Sequence, residues 1–167
     1  MSDVYTEILV PKKVTAPDIF VKVILILLTG ASIAAGVIVR PAFLIAAAVF
    51  LLLDILLIPR LSVEYEYLYI NGELDVDKIF SKSRRKRAAV YTMEQLELMA
   101  PAGSGHLEEY ERRQGIRTVN FTSRNSGAPV YVMMIVRDRQ MERVLLEPDE
   151  KMLKDLKMKF PRKVFSD

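Results

Sequence analysis

From Ile19 to Ile58 the chain carries forty residues among which Lys22, Arg40 and Asp54 are the only ionisable ones. A helix rises about 1.5 Å per residue and the hydrocarbon core of a bilayer is about 30 Å thick, so one crossing takes on the order of 20 apolar residues. The run Ile19 to Val39 meets that requirement. Arg40-Pro41 interrupts it, and Ala42 to Ile58 continues as a second, shorter stretch. One straight helix would be roughly 60 Å long and would bury Arg40 and Pro41 near its middle. The expected arrangement is a two-helix transmembrane hairpin, 19–39 and 42–58, that separates an N-terminal cytoplasmic segment, 1–18, from a domain at 60–167.

Small residues repeat at a spacing of four in the first stretch, as Gly30 and Ala34, Ala31 and Ala35, and Ser32 and Gly36. That spacing lets helix backbones approach closely in lipid, and Ala42, Ala46, Ala47 and Ala48 supply small residues opposite them. Lys12, Lys13 and Lys22 flank the first span, and Arg60 and Arg84 to Arg87 follow the second, against Arg40 alone in the turn. Basic residues collect on the cytoplasmic side, so a multi-pass cell-membrane protein with both termini cytoplasmic is expected. A cleaved signal ending at Ser32-Ile33-Ala34 fits less well, because the apolar run continues and the leader carries Asp3, Glu7 and Asp18.

Residues 60–167 hold 20 Lys or Arg against 17 Asp or Glu, too even a balance for a nucleic-acid-binding domain. With no cysteine and one histidine, thiolate metal sites, disulfides and cysteine nucleophiles are excluded, and no metal or other cofactor is expected. No phosphate loop, dinucleotide fingerprint or metalloprotease motif occurs.

From Leu61 the hydrophobic period switches to two. Val63, Tyr65, Tyr67 and Tyr69 alternate with Glu64 and Glu66, Asn71-Gly72 signals a hairpin turn, and Leu74, Val76, Lys78 and Phe80 form the return strand. Further strands are expected at Arg84 to Tyr91, Leu96 to Ala100, Arg117 to Thr122, Pro129 to Val136 and Met141 to Glu147, the last two turning at about Asp138 to Gln140. Pro101 to Gly115 reads as a surface excursion with a helical turn or two in HLEEYERR. Met152, Leu153, Leu156 and Phe160 form a stripe at helical spacing, with Pro148 in the first turn and Pro161 as the stop. Seven antiparallel strands in a barrel or sandwich, closed by one C-terminal helix, are the element order of the pleckstrin-homology fold.

A two-span hairpin followed by such a domain resembles the bacterial pleckstrin-homology-like membrane proteins. More closely, VEYEYLYINGELDVDKI, SKSRRKR and PRKVFSD resemble a family of small bacterial two-span membrane proteins, over nearly the whole chain. The resemblance implies a membrane location and brings no activity, substrate or functional residue with it.

The most conspicuous chemical feature is Lys82, Arg84, Arg85, Lys86 and Arg87, a basic turn that near an anionic leaflet gains about 1 kcal/mol per charge. Its functional reading is a site for acidic phospholipid; the bland one is a solvated hairpin that sets topology and blocks edge pairing. Asp54 is a functional candidate by its place in a span, although one turn from Arg60 it can reach the interface or pair with that arginine. The tyrosine stripe reads as core, Asp75 and Asp77 as a solvated face, and Ser104 beside His106 as loop residues without nucleophile and base geometry. The expected function is a non-catalytic, membrane-tethered binding or scaffold module for a protein partner or anionic lipid. The alternative is a small transporter, or an accessory subunit of a membrane complex, acting through the hairpin.

Overall fold

The computed structural model describes residues 5–137 and 139–166, and the chain divides into two compact units. One contains the residues up to Lys12, Glu64–Ile79 and those from Arg85 onward; the other contains Lys13–Val63 and Phe80–Arg84.

The second unit is built on two helices, α1 (Ala16–Ile38) and α2 (Phe43–Leu61), each long and apolar enough to cross a bilayer. The helix α1 starts where Thr15 and Asp18 close a capping box: the Thr15 backbone N–H donates to Asp18 Oδ2 at 2.9 Å and its hydroxyl donates to the same oxygen at 2.6 Å. Between the helices the buried residues are Thr29, Gly36 and Ala47. A Cβ at Gly36 would lie 2.5 Å from Leu44 Cδ2 and 3.2 Å from the Leu44 backbone nitrogen, so this glycine sets how closely the turn region packs. Of the three small-residue pairs, Ser32 is half-buried and Gly36 buried against Leu44 of α2, whereas Gly30 and Ala34 are exposed.

The first unit holds eight strands in two sheets of four. One sheet runs in the order β1 (Tyr5–Pro11), β2 (Val63–Ile70), β3 (Glu73–Phe80), β4 (Arg84–Thr92). The other contains β5 (Leu96–Pro101), β6 (Arg117–Asn120), β7 (Tyr131–Arg137) and β8 (Gln140–Leu146), in the order β5-β7-β8-β6. Two expectations change. The N-terminal segment supplies an eighth strand, β1, which pairs antiparallel with β2 from Tyr5 opposite Ile70 to Pro11 opposite Glu64. The apolar helices are thus inserted between two neighbouring strands of one sheet. The arrangement is also not purely antiparallel, because β6 pairs with β8 in parallel.

Asn71 and Gly72 both take positive φ, 52° and 99°, as the tight β2–β3 turn requires. Tyr65, Tyr67 and Tyr69 are buried, with Leu74 and Val76 beside them, while Met99, Met133, Ile135 and Val144 supply buried residues from the second sheet. Lys78 falls on the tyrosine face because its ammonium lies 5.9 Å from the Tyr65 ring centre and 6.0 Å from that of Phe121. The excursion after β5 forms a 3₁₀ turn and a short helix, α3 (Glu108–Glu111). It is not merely superficial: Leu107, Tyr110 and Ile116 pack on Leu98, Ala100, Val132 and Met134, so the second sheet is covered on both faces. The turn residue Asp138 lies outside the described residues.

The last helix, α4 (Glu150–Lys159), buries Met152 and Leu156, and its cap is Asp149, which accepts from the Met152 N–H at 2.7 Å. Pro148 therefore precedes the helix instead of occupying its first turn. Beyond it the tail lies along β5: Met99 N–H donates to the Lys163 carbonyl and Phe165 N–H to the Met99 carbonyl, at 2.7 and 2.8 Å.

Candidate functional site

The basic turn divides in two. Arg85 and Arg87 share one face of β4, and that face meets the carboxylates of β2 and β3. Arg85 Nη2 is 2.5 Å from Glu66 Oε1 and its Nε is 3.8 Å from Asp77, while Arg87 reaches Asp75 at 3.4 Å. Asp75 and Asp77 are thus ion-pair partners and not simply a solvated face. Glu66, which alternates with the tyrosines along β2, is 4% exposed. Its burial pushes the carboxyl above the usual glutamate range, and the Arg85 guanidinium opposes that shift without cancelling it.

Lys82, Arg84 and Lys86 are exposed and make no ion pair among the described residues. Lys82 and Arg84 belong to the helical unit. There the Ser81 N–H donates to the Ser62 carbonyl at 2.9 Å, which fastens the turn to the residue that ends α2. Ser81 and Lys82 take positive φ, 46° and 57°, a conformation that turns the chain tightly at this point.

The same unit has a cleft of 570 Å³ that sequence reasoning missed. Ile19, Val23, Ile58 and Leu61 form its apolar walls; Lys22, Lys82, Ser62, Ser81 and Asp18 are its polar contributors. Lys22 reads in the sequence only as a topology flank, and nothing in the spacing pairs it with a lysine sixty positions later.

Asp54 is engaged differently from either sequence reading. It does not reach Arg60. The Thr29 hydroxyl lies 2.6 Å from Asp54 Oδ2 and 3.1 Å from the Leu25 carbonyl, so the carboxyl joins the two helices across their interface. Asp54 Oδ1 is buried with no hydrogen-bond partner.

Elsewhere the candidate groups have structural duties. Ser104 Oγ accepts from the His106 backbone N–H at 3.4 Å, and the His106 ring stacks on Phe165 with centroids 3.9 Å apart. Tyr67 donates to the Phe121 carbonyl at 2.6 Å, and its burial raises the phenol well above its ordinary value. Tyr91 is likewise raised by burial, with Glu142 adding to it. No group of three or more His, Cys, Asp or Glu able to hold a metal occurs among the described residues.

Neither a curated protein nor a solved structure matches the chain. A family model described as a bacterial PH-like domain (DUF6106) matches residues 2–166, a span that takes in β1, both apolar helices, the two sheets and α4. That description indicates no enzymatic family. The chain, which carries two helices long and apolar enough to cross a membrane, therefore belongs to the bacterial PH-like domain family.

Proposed function

We propose that this protein is a two-span membrane protein with both termini cytoplasmic, whose PH-like domain is a non-catalytic binding module working at the anionic inner leaflet. The observation that carries the reading is the state of Lys82 and Arg84. Both lack a carboxylate partner among the described residues; Lys82 sits on the turn hydrogen-bonded to the end of α2, and Arg84 follows that turn as the first residue of β4. A charge held where an apolar helix ends lies within a Debye length of lipid phosphates, and each such charge contributes about 1 kcal/mol. Arg85 and Arg87, though part of the same sequence cluster, already face carboxylates of the domain and contribute less. Lipid is favoured over a protein partner because these charges stand beside apolar helix termini.

The fragment 60–167 is the wrong material for a test, since it lacks β1. The full chain in nanodiscs carrying photoreactive acidic or neutral phospholipid is expected to label preferentially with the acidic one, less so at high salt and in Lys82→Gln/Arg84→Gln. Equal labelling by the two lipids would remove the reading. The orientation is checked in the same preparation, because the chain has no native cysteine. Single cysteines beside Arg40 and in the domain are expected to react from opposite faces.

A transport or accessory role through the helices has less support, because Asp54 Oδ2 is already taken by Thr29. An unchanged assembly state in Asp54→Asn would remove that alternative.

A further inference from the structure

We propose that the cleft of the helical unit holds one anionic glycerophospholipid, with Lys22 and Lys82 as the ligands of its phosphate. The inference rests on the membrane reading above and narrows it from attraction along a surface to one site with a stoichiometry. The cleft has a volume of 570 Å³, within the range of about 300–1,000 Å³ typical of sites for small organic ligands. That is room for a headgroup and the glycerol, with the acyl chains continuing along the helices.

Three features select the occupant. The walls are apolar yet open: Ile19 and Val23 are 54% and 48% exposed, surface that hydrocarbon covers more favourably than water. The position is at the end of both helices, since Ile19 and Val23 lie in the first two turns of α1 and Ile58 and Leu61 in the last turn of α2. The charge also matches. Lys22 and Lys82 supply two positive charges and Asp18, whose Oδ2 is held by Thr15, supplies one negative. The net charge of +1 is that needed by a single phosphodiester. Neither lysine forms an ion pair with a described carboxylate. Ser62 and Ser81 add hydroxyls beside the lysines, which suits a polyol headgroup such as glycerol.

The test uses the full chain equilibrated in nanodiscs of phosphatidylglycerol and phosphatidylcholine in equal amounts, then released into nonionic detergent and weighed intact by native mass spectrometry. One phosphatidylglycerol per chain is expected to be retained. Lys22→Gln and Lys82→Gln should each lower the ratio of lipid-bound to lipid-free chain about fivefold, the worth of one charge at the membrane surface. Lys86→Gln removes the same charge outside the cleft and should leave occupancy unchanged. No retained lipid, equal retention of both lipids, or equal loss in Lys86→Gln would overturn the site. Salt-dependent enrichment of acidic lipid around the protein in the intact nanodisc reads the surface role separately. Enrichment without a retained lipid overturns the cleft alone; a retained lipid without enrichment supports the cleft and overturns only the broader role.

Discussion

The two units use the same apolar residue types in opposite ways. In the helical unit Ile45, Ile38 and Val37 are 72%, 81% and 77% exposed, and the buried positions are the small or polar Thr29, Gly36 and Ala47. In the sheet unit large side chains lie inside, with Tyr67, Met133, Ile135 and Leu156 essentially inaccessible and arginines outside. Association of the helices therefore rests on close approach and a hydrogen bond, whereas the sheets are held by removal of apolar area from water. The half-buried Asp54 and the buried Glu66 follow the same division. Asp54 meets a hydroxyl and leaves one oxygen unpartnered; Glu66 meets a guanidinium.

The comparison breaks most visibly under truncation of matched residues. Leu156, 1% exposed on α4, is expected to cost about 2–5 kcal/mol of stability when replaced by alanine, because its cavity cannot collapse fully. Ile45→Ala on α2 removes a similar volume from an exposed face and should leave the stability of the sheet unit unchanged. Hydrogen exchange of the β7 amides in the full chain measures both. A comparable loss in the two variants would mean that the units do not differ in what holds them together.

Much of this division is legible in the sequence, because hydropathy and period report directly which solvent a face meets. The tyrosine alternation after Leu61, Asn71-Gly72 and the stripe of Met152 and Leu156 all lie where their periodicity places them. The strand β1 is hidden for two physical reasons. Its inward positions, Thr6, Ile8 and Val10, begin with a polar residue, while Leu9 on the outward face is 55% exposed, so the pattern is blurred. Its partner β2 also lies beyond a long apolar insertion, and no local signal spans that distance. The parallel pairing of β6 with β8 is hidden likewise, since register between strands distant in sequence is set by packing. At the basic turn, composition gives five equal charges. Only the pairing of β4 with β3 separates Arg85 and Arg87, which meet carboxylates, from Lys82, Arg84 and Lys86.

A finer test stays within the buried tyrosines of β2. Tyr67 donates to the Phe121 carbonyl and accepts from the Glu147 N–H at 3.4 Å, whereas the Tyr69 hydroxyl is buried with no partner. Removing a hydroxyl that satisfies two backbone groups leaves both unsatisfied, so Tyr67→Phe should destabilise by about 1–3 kcal/mol. Tyr69→Phe removes only an unpaired polar atom and should be neutral or stabilising. Denaturant unfolding of the two variants, compared at equal slope, decides between this account and one in which the stripe acts only through apolar area. That alternative requires both changes to be alike.

The smallest effect is a pH dependence, and it follows from Glu66. Its carboxyl is raised because burial outweighs Arg85, so the folded chain holds this proton to higher pH than the unfolded chain does. As pH climbs past the ordinary value near 4.5, the unfolded state releases its proton first and stability falls; the fall ends once the folded-state carboxyl has ionised too. Glu66→Gln removes that slope. Because the Arg85 guanidinium offsets part of the burial, the difference between the two proteins should be smaller than the cost of Tyr67→Phe. Unfolding curves of both proteins from about pH 4 to 7 test the sign, with the native chain losing stability relative to Glu66→Gln as pH rises. A gain would mean that the guanidinium, and not burial, dominates at Glu66, placing this acid among ordinary surface ion pairs and weakening its contrast with Asp54.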